Sequence, residues 1–116
     1  MEIIFRDDII PAIDQIIEVY NSSGINRPTT DKERIEKMYS NSNLVLTAWD
    51  NAKLVGISRS LTDFCYCCYL SDLAVRMEYQ KNGIGKKLIE LTKDKIGEQT
   101  ALILLSAPTV MDYYPK

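Results

Sequence analysis

The sequence lacks histidine entirely, and its three cysteines are confined to residues 65–68. A tetrahedral metal site needs four ligands of these kinds, so we expect no metal site in this protein. No apolar run approaches the length of about 20 residues that crosses a membrane. Residues 1–8 also lack the basic and then apolar layout of a signal peptide. These absences predict a cytoplasmic protein without a membrane partner.

A strong excess of charge of either sign is also missing. Charged residues form 26% of the chain, and the formal net charge is −2. This balance argues against the basic footprint of a nucleic-acid-binding protein and against a disordered acidic tail. With 116 residues and 46% hydrophobic content, the chain can build one core but not two. We therefore expect a single domain spanning residues 1–116 and no nucleic-acid partner.

Cys65, Cys67 and Cys68 fall in a segment with the composition of an extended strand. A disulfide between such close neighbours in a strand would be strained. Free cysteine behaves as a small hydrophobic side chain and is usually buried. We expect three free, buried thiols.

The spacing of apolar residues predicts the elements of the first half of the chain. Residues 2–6 are rich in isoleucine and predict a strand. Within residues 11–24 the apolar positions recur every three or four residues, which predicts a helix that ends near the glycine. Thr30 and Glu33 fit a capping box, so a second helix should begin there and run to about Tyr39.

The period then changes to that of strands. Residues 43–49, 54–61 and 64–75 are dense in β-branched and apolar residues, and short polar turns separate them. Such a pattern predicts an antiparallel meander of three strands.

The last part of the chain predicts a helix between two parallel strands. Residues 84–97 form an amphipathic helix with a terminal glycine, and the apolar run at residues 101–105 predicts a strand buried on both faces. A strand, a helix and a second strand in this order imply a right-handed parallel crossover. A short helix should follow at residues 108–114. The predicted fold class is therefore α+β with a mixed sheet.

The segment between the third strand of the meander and the following helix has the features of an anion site. A helix N-terminus carries unpaired N–H groups and a partial positive charge, which together bind phosphate. Gly83 and Gly85 allow a close approach of the backbone, and Lys81, Lys86 and Lys87 add full charges. The spacing matches neither a dinucleotide fingerprint nor a P-loop. The alternative is a flexible glycine loop ahead of an ordinary helix.

The run LSDLAVRMEYQKNGIGKKLIE, residues 70–90, resembles the signature of the GNAT acetyltransferases, Gln/Arg-x-x-Gly-x-Gly/Ala between an apolar strand and an amphipathic helix. Gln80, Gly83 and Gly85 occupy the three defining positions. The ending APTVMDYYPK is similar to the Phe-Tyr-x-Lys-x-Gly-Phe segment of the same family. The resemblance implies the GNAT fold, in which four antiparallel strands are followed by a helix and a parallel fifth strand. It also implies acetyl-CoA as co-substrate.

The resemblance further implies which residues contact acetyl-CoA. The backbone N–H groups that would hold the pyrophosphate belong to Gln80, Lys81, Asn82, Gly83, Ile84, Gly85 and Lys86. The main chain of Leu73, Ala74 and Val75 would pair with the pantetheine arm as an added strand. Ser106 lies where the family often contacts this arm, although it could equally cap the last helix.

Tyr114 occupies the position at which the family has its general acid, the tyrosine that protonates the departing thiolate. A phenol stays protonated at neutral pH and can donate to the sulfur. The alternative role of Tyr114 is terminal packing with the hydroxyl in water.

A general base is harder to assign. Asp72 is the nearest carboxylate in the sequence, and a chain of water molecules would serve equally well. Arg59 and Asp63 could orient a substrate or lie in solvent. Residues 21–28 resemble the part of the family that walls the acceptor side, where Arg27 could bind a substrate carboxylate or face solvent.

The resemblance stops before the two strands that end the family's sheet. Either the sequence is a shortened product, or a partner subunit, as in a homodimer, covers the exposed sheet edge. Three functional hypotheses follow. The protein transfers an acetyl group to a primary amine of a small molecule or peptide in a ternary complex, it is a non-catalytic CoA-binding module, or it is an interaction domain that binds no anion.

Overall fold

The structure is a computed structural model, and it describes residues 2–104 of the chain. It contains three α-helices and five strands within those residues. Their bounds in chain order are β1 Ile4–Arg6, α1 Ile13–Ser23, α2 Lys32–Ser40, β2 Leu44–Asp50, β3 Lys53–Thr62, β4 Cys67–Val75, α3 Ile84–Ile96 and β5 Ala101–Leu104. One turn of 3-10 helix, Met77–Tyr79, lies between β4 and α3.

The strands form one mixed sheet in the order β1-β2-β3-β4-β5. The first four are antiparallel neighbours, and β4 and β5 are parallel. One apolar core lies between the sheet and α3, and a second lies between the sheet and the pair α1 and α2. The predicted α+β class and the antiparallel-then-parallel order are confirmed.

The helices begin and end close to the predicted positions. Gly24 follows α1 with a φ of 82°, a left-handed conformation that glycine adopts without steric cost. The predicted cap of α2 is wrong by one residue. Asp31 is the N-cap, and its carboxylate accepts the N–H of Arg34 at 3.1 Å. Asp31 therefore caps the helix through the N–H of Arg34, whereas a cap at Thr30 would have accepted the N–H of Glu33.

The segment before β4 is a turn and not the start of a strand. The carboxylate of Asp63 accepts N–H groups from Cys65, Tyr66 and Cys67 at distances of 3.0, 2.8 and 3.1 Å. Cys65 and Cys67 are therefore exposed, and only Cys68 is buried. All three are free thiols as predicted, but burial holds for Cys68 alone.

β5 is not buried on both faces along residues 101–104. Ala101 and Ile103 are exposed, and Leu102 and Leu104, which pack against the α3 core, are half-buried. The reason is that only one face of this strand packs against the core beneath α3, and it does so at the margin of that core. The predicted helix at 108–114 lies outside the described residues.

None of the helices within residues 2–104 is long and apolar enough to span a bilayer. Nor does that part of the chain bring together three or more potential metal-ligating side chains.

Candidate functional site

Within residues 2–104, β4 has one edge that is only partly paired. Along one side it pairs with β3 from Cys68 to Val75. On its other side the pairing with β5 covers Cys67 to Leu70 only. Within residues 2–104, no strand pairs with this side of residues 71–75. The main chain of Leu73, Ala74 and Val75, predicted to bind the pantetheine arm, therefore lies along an open strand edge in the described structure.

A β-bulge lies where the described pairing of β4 with β5 ends. Arg59 of β3 lies opposite Asp72, but the next residue, Ser60, lies opposite Leu70, so Ser71 is the extra residue of β4. The bulge resets the alternation of side chains. Leu70 and Leu73 both pack in the α3 core, and Asp72 faces the α1 side with Ala74.

The chain leaves β4 through a closely bonded corner at Arg76. Its N–H donates to the carbonyl oxygen of Val55 at 2.8 Å, and its Nε donates to that of Leu54 at 2.6 Å. Gln80 then returns to the strand, because its Nε2 donates to the carbonyl oxygen of Val75 at 3.0 Å. The backbone N–H of Gln80 already donates to Met77 at 3.2 Å. This N–H was expected to bind pyrophosphate, but it shapes the loop instead.

The following turn alternates between left-handed and ordinary backbone. Lys81 has a φ of 69° and Gly83 a φ of 77°. A left-handed lysine costs on the order of 1 kcal/mol or more, which the surrounding structure must supply. Asn82 steadies the turn by donating from Nδ2 to the carbonyl oxygen of Tyr79 at 3.1 Å. Alternating conformations of this kind make concavities lined by N–H groups that bind anions.

The first turn of α3 is open for an anion. Gly83 is its N-cap, with no side-chain cap among the described residues, and a Cβ at Gly83 would meet no atom of them within 4 Å. The N–H groups of Ile84, Gly85 and Lys86 have no partner inside the helix because they belong to its first turn. No acidic residue lies in this turn, and the side chains of Lys81, Lys86 and Lys87 are exposed around it.

Gly56 fixes the position of this turn against the sheet. A Cβ on Gly56 would lie 3.0 Å from Cγ2 of Ile84 and 3.4 Å from Cδ1 of Leu88. Gly56 is also the β3 partner of Val75, the last residue of β4. The absence of one methyl group therefore brings the N-terminus of α3 close to the end of the open edge.

At the other end of the open edge lies a buried polar cluster around Asp72, whose side chain has no exposed area. Its Oδ2 accepts Tyr20 Oη at 2.7 Å and Arg59 Nε at 2.6 Å. Its Oδ1 accepts Arg27 Nε at 2.7 Å and Ser71 Oγ at 3.1 Å. Burial acts to raise the pKa of Asp72, but the hydrogen bonds of Arg59 and Tyr20 and the charge of Arg59 outweigh it and leave the pKa below its ordinary value.

The geometry argues against Asp72 as the general base. A base must reach the proton of the amine, and this carboxylate is buried, ionised and bound by four donors. The lowered pKa makes it a weaker proton acceptor still. Arg59 and Arg27, expected to orient a substrate or to face solvent, are both ion-paired with Asp72.

Asp63 likewise has a structural role. Backbone hydrogen bonds from Tyr66, Cys65 and Cys67 hold the pKa of its carboxyl well below the ordinary value. Those bonds close the turn between β3 and β4.

Two members of the cluster were not predicted from the sequence. Tyr20 and Tyr39 are fully or almost fully buried, and their hydroxyl groups are hydrogen-bonded to each other. Burial first, and then the neighbouring Tyr39 and the charge of Asp72, raise the pKa of Tyr20. Burial raises the pKa of Tyr39, so both remain neutral. Their inward positions on amphipathic helices were the available signal, because a buried tyrosine hydroxyl needs a partner.

Tyr114 and Ser106 lie outside the described residues. Their assignments as general acid and as a contact of the CoA arm stay predictions.

Comparison with protein families identifies the class. Residues 16–116 match the model of the acetyltransferase (GNAT) domain, and the chain belongs to this family. A comparison with curated proteins finds no match.

Solved structures show the same fold. A protein of unknown function from meticillin-resistant Staphylococcus aureus is 21% identical, with a TM-score of 0.84 over 96% of this chain and 84% of that one. The PaiA N-acetyltransferase of Thermoplasma acidophilum, solved with coenzyme A, is 24% identical, with a TM-score of 0.63 over 83% and 72%. An aminoglycoside acetyltransferase from an uncultured soil metagenomic sample, solved with sisomicin, is 23% identical, with a TM-score of 0.65 over 95% and 81%.

Proposed function

We propose that the protein is an N-acetyltransferase that moves the acetyl group of acetyl-CoA to a primary amine of a small molecule or peptide by direct attack in a ternary complex. The observation that carries the proposal is the adjacency of two features in a GNAT domain. The open edge of β4 ends at Val75, and the uncapped N-terminus of α3 begins at Gly83 and packs on Gly56, the strand partner of Val75.

Acetyl-CoA would lie along both features. The N–H groups of residues 81–86 and the charges of Lys81 and Lys86 would hold the pyrophosphate. The arm would then pair with the main chain of residues 73–75, and the acyl group would point toward the bulge at Ser71. From Val75 to Ser71 the strand covers roughly 13 Å at about 3.3 Å per residue.

The chemistry is an exchange of bonds at the thioester carbonyl. The amine nitrogen attacks the carbonyl carbon, the new C–N bond forms, and the C–S bond breaks. Main-chain N–H groups of β4 would stabilise the negative charge on the carbonyl oxygen. Tyr114 would donate its proton to the departing thiolate, and Ser106 would contact the arm. Water is the better acceptor for the amine proton, because Asp72 is buried and ion-paired.

The neighbours support the two substrates in general terms. The PaiA relative is solved with coenzyme A, and the soil metagenomic relative with sisomicin, an aminoglycoside ligand. These are properties of those proteins, and they make aminoglycosides the first amines to test, with other small primary amines and peptides after them. A cytoplasmic location and a homodimer stay predictions.

The decisive experiment measures thiol release from acetyl-CoA in the presence of each amine, together with the shift of the thermal midpoint by CoA. An active enzyme shows release that depends on the amine and falls in Tyr114→Phe. A shift without release would indicate a non-catalytic CoA-binding module. No shift and no release would contradict both and would favour an interaction domain.

A matched pair of variants tests where CoA binds. Lys86 and Lys93 are exposed lysines at opposite ends of α3. Lys86→Glu should weaken CoA binding by about tenfold, the equivalent of 1.4 kcal/mol, because a negative charge enters the phosphate position. Without ligand the same change should stabilise the helix by about 0.3–1 kcal/mol, since an acid complements the dipole at this end. Lys93→Glu should leave CoA affinity unchanged. Equal affinities of the two variants would refute the assigned position.

A further inference from the structure

The loop between α1 and α2 is fastened to the bulge of β4 by one side chain. Arg27, in this loop, donates from Nε to Asp72 Oδ1 at 2.7 Å and from Nη2 to the carbonyl oxygen of Ser71 at 2.9 Å. Its Nη1 donates to the carbonyl oxygen of Asn26 at 2.7 Å, which ties the guanidinium back to its own loop. One planar group therefore joins the loop, the bulge and the buried carboxylate.

The carboxylate that Arg27 holds is itself fixed from the opposite side. Tyr20 and Arg59 bind the other oxygen of Asp72, and Arg59 also donates to Ser71 Oγ at 3.1 Å. Asp72 has no exposed side-chain area, Arg59 is 11% exposed and Arg27 is 25% exposed. Of these three charged side chains Arg27 is thus the outermost, and the buried network meets the surface there.

The bulge gives the contact its importance. The extra residue in a bulge is left out of the regular ladder, so its carbonyl group depends on partners other than the neighbouring strand. Ser71 is also the first residue of β4 beyond the pairing with β5 that residues 2–104 describe, and the acyl arm is proposed to lie along β4 from there. Because Arg27 bonds to Ser71, the α1–α2 loop lies beside the end of the edge toward which the acyl group would point.

Resting on the proposed function, we propose that Arg27 is a positioning residue of the acetyl transfer. It holds the α1–α2 loop against the Ser71 bulge, so that this loop forms one wall of the space into which the amine must enter. Arg27 acts through the loop and the bulge, and its role is distinct from the phosphate-binding turn at residues 81–86. Loss of Arg27 should therefore affect the amine and the transfer step and leave CoA binding intact.

The test compares Arg27→Gln and Arg27→Lys with Arg34→Gln, a change of an exposed arginine on α2. Arg27→Gln should lower kcat/KM for the amine by about tenfold to a hundredfold, the range expected when a reacting group is misplaced by about 1 Å. Arg27→Lys keeps the charge without the planar fork, so it should recover only part of the loss. The Kd of CoA should stay within about twofold of the unmodified protein in all three variants.

Amide hydrogen exchange of the whole chain tests the contacts of Arg27 with Ser71 and Asp72 independently of turnover. Arg27→Gln should speed exchange at residues 24–31 and 70–73 by about tenfold or more, because charge-assisted hydrogen bonds are lost. Exchange in α3 should not change. Unchanged loop exchange, or unchanged amine kinetics in a protein that turns over, would overturn the role of Arg27. Absence of both CoA binding and turnover in the unmodified protein would instead overturn the proposed function. Hydrogen exchange would still decide whether Arg27 holds the loop against the bulge.

Discussion

The two ends of the open β4 edge are built in opposite ways. At the Val75 end the candidate phosphate site is made of main-chain N–H groups, a left-handed lysine and lysine side chains in solvent. At the Ser71 end the structure depends on buried side chains that come from residues up to 52 positions apart in the chain. A site made by local backbone can be recognised from a short motif, whereas a site made by distant side chains cannot.

The largest expected effect comes from removing the carboxylate at the Ser71 end. Asp72→Ala leaves Arg27 and Arg59 without their shared counter-ion in a buried cluster. We expect a loss of about 3–5 kcal/mol in the free energy of unfolding, as for other broken buried ion pairs. Urea denaturation measures it, and Asp94→Asn, an exposed carboxylate on α3, is the control. A loss no greater than that of the control would show that the cluster contributes little to stability.

Acid should reproduce part of this effect reversibly. The pKa of Asp72 is lower in the folded protein than its ordinary value, so its charge stabilises the fold above the unfolded pKa of about 3.9. That stabilisation is lost as the pH falls through the folded pKa. The loss should be smaller than in Asp72→Ala, because the protonated acid keeps its volume and some hydrogen bonds. Titration of the Asp72 side-chain carbon by NMR checks the sign, and a midpoint at or above 4 would be incompatible with the described contacts.

A methyl group at Gly56 tests the Val75 end. Gly56→Ala places a Cβ about 3.0 Å from Cγ2 of Ile84, which must move the first turn of α3. Overpacking of this kind costs about 1–3 kcal/mol, and CoA affinity should fall with it. Ile84→Leu removes the offending γ-methyl at nearly constant volume, so the double variant should regain stability and affinity. Equal affinity in all four proteins would mean that the position of this turn does not govern binding.

The smallest effect is expected for a single hydroxyl in the cluster. Tyr39→Phe removes the hydrogen bond to Tyr20 and should cost about 0.5–1.5 kcal/mol. CoA affinity should not change, because the phosphate turn shares no described hydrogen bond with Tyr39. A coupled loss of affinity would show that the two ends of the edge do not act separately.

The elements that rest on local pattern were predictable from the sequence. The recurrence of apolar residues every three or four positions predicted α1 and α3. Gly24 and Gly97 follow the last residues of these helices, as expected. The glycine motif located the turn before α3 because both the motif and the N–H groups belong to adjacent residues.

The predictions that were wrong concern residues whose structure depends on a distant contact or on a competing one. The N-cap of α2 is Asp31 and not Thr30, because either side chain can accept a hydrogen bond from an N–H of the first helical turn. Residues 63–66 form a turn because the Asp63 carboxylate accepts three N–H groups. These hydrogen bonds outweigh the preference of Phe64 and Tyr66 for a strand. The role of Asp72 could not be deduced, since Arg27 and Arg59 lie 45 and 13 positions away from it.

The bulge at Ser71 gives β4 one residue more than the paired part of β3 opposite it. Arg59 and Ser60 are consecutive in β3 and pair with Asp72 and Leu70, so deleting Ser71 would make their partners consecutive as well. Leu70 and Leu73 would then be two positions apart, the regular spacing of side chains on one face, and both would still point toward α3. A single-codon deletion there should thus leave the packing of the sheet in place and remove the carbonyl group that Arg27 binds.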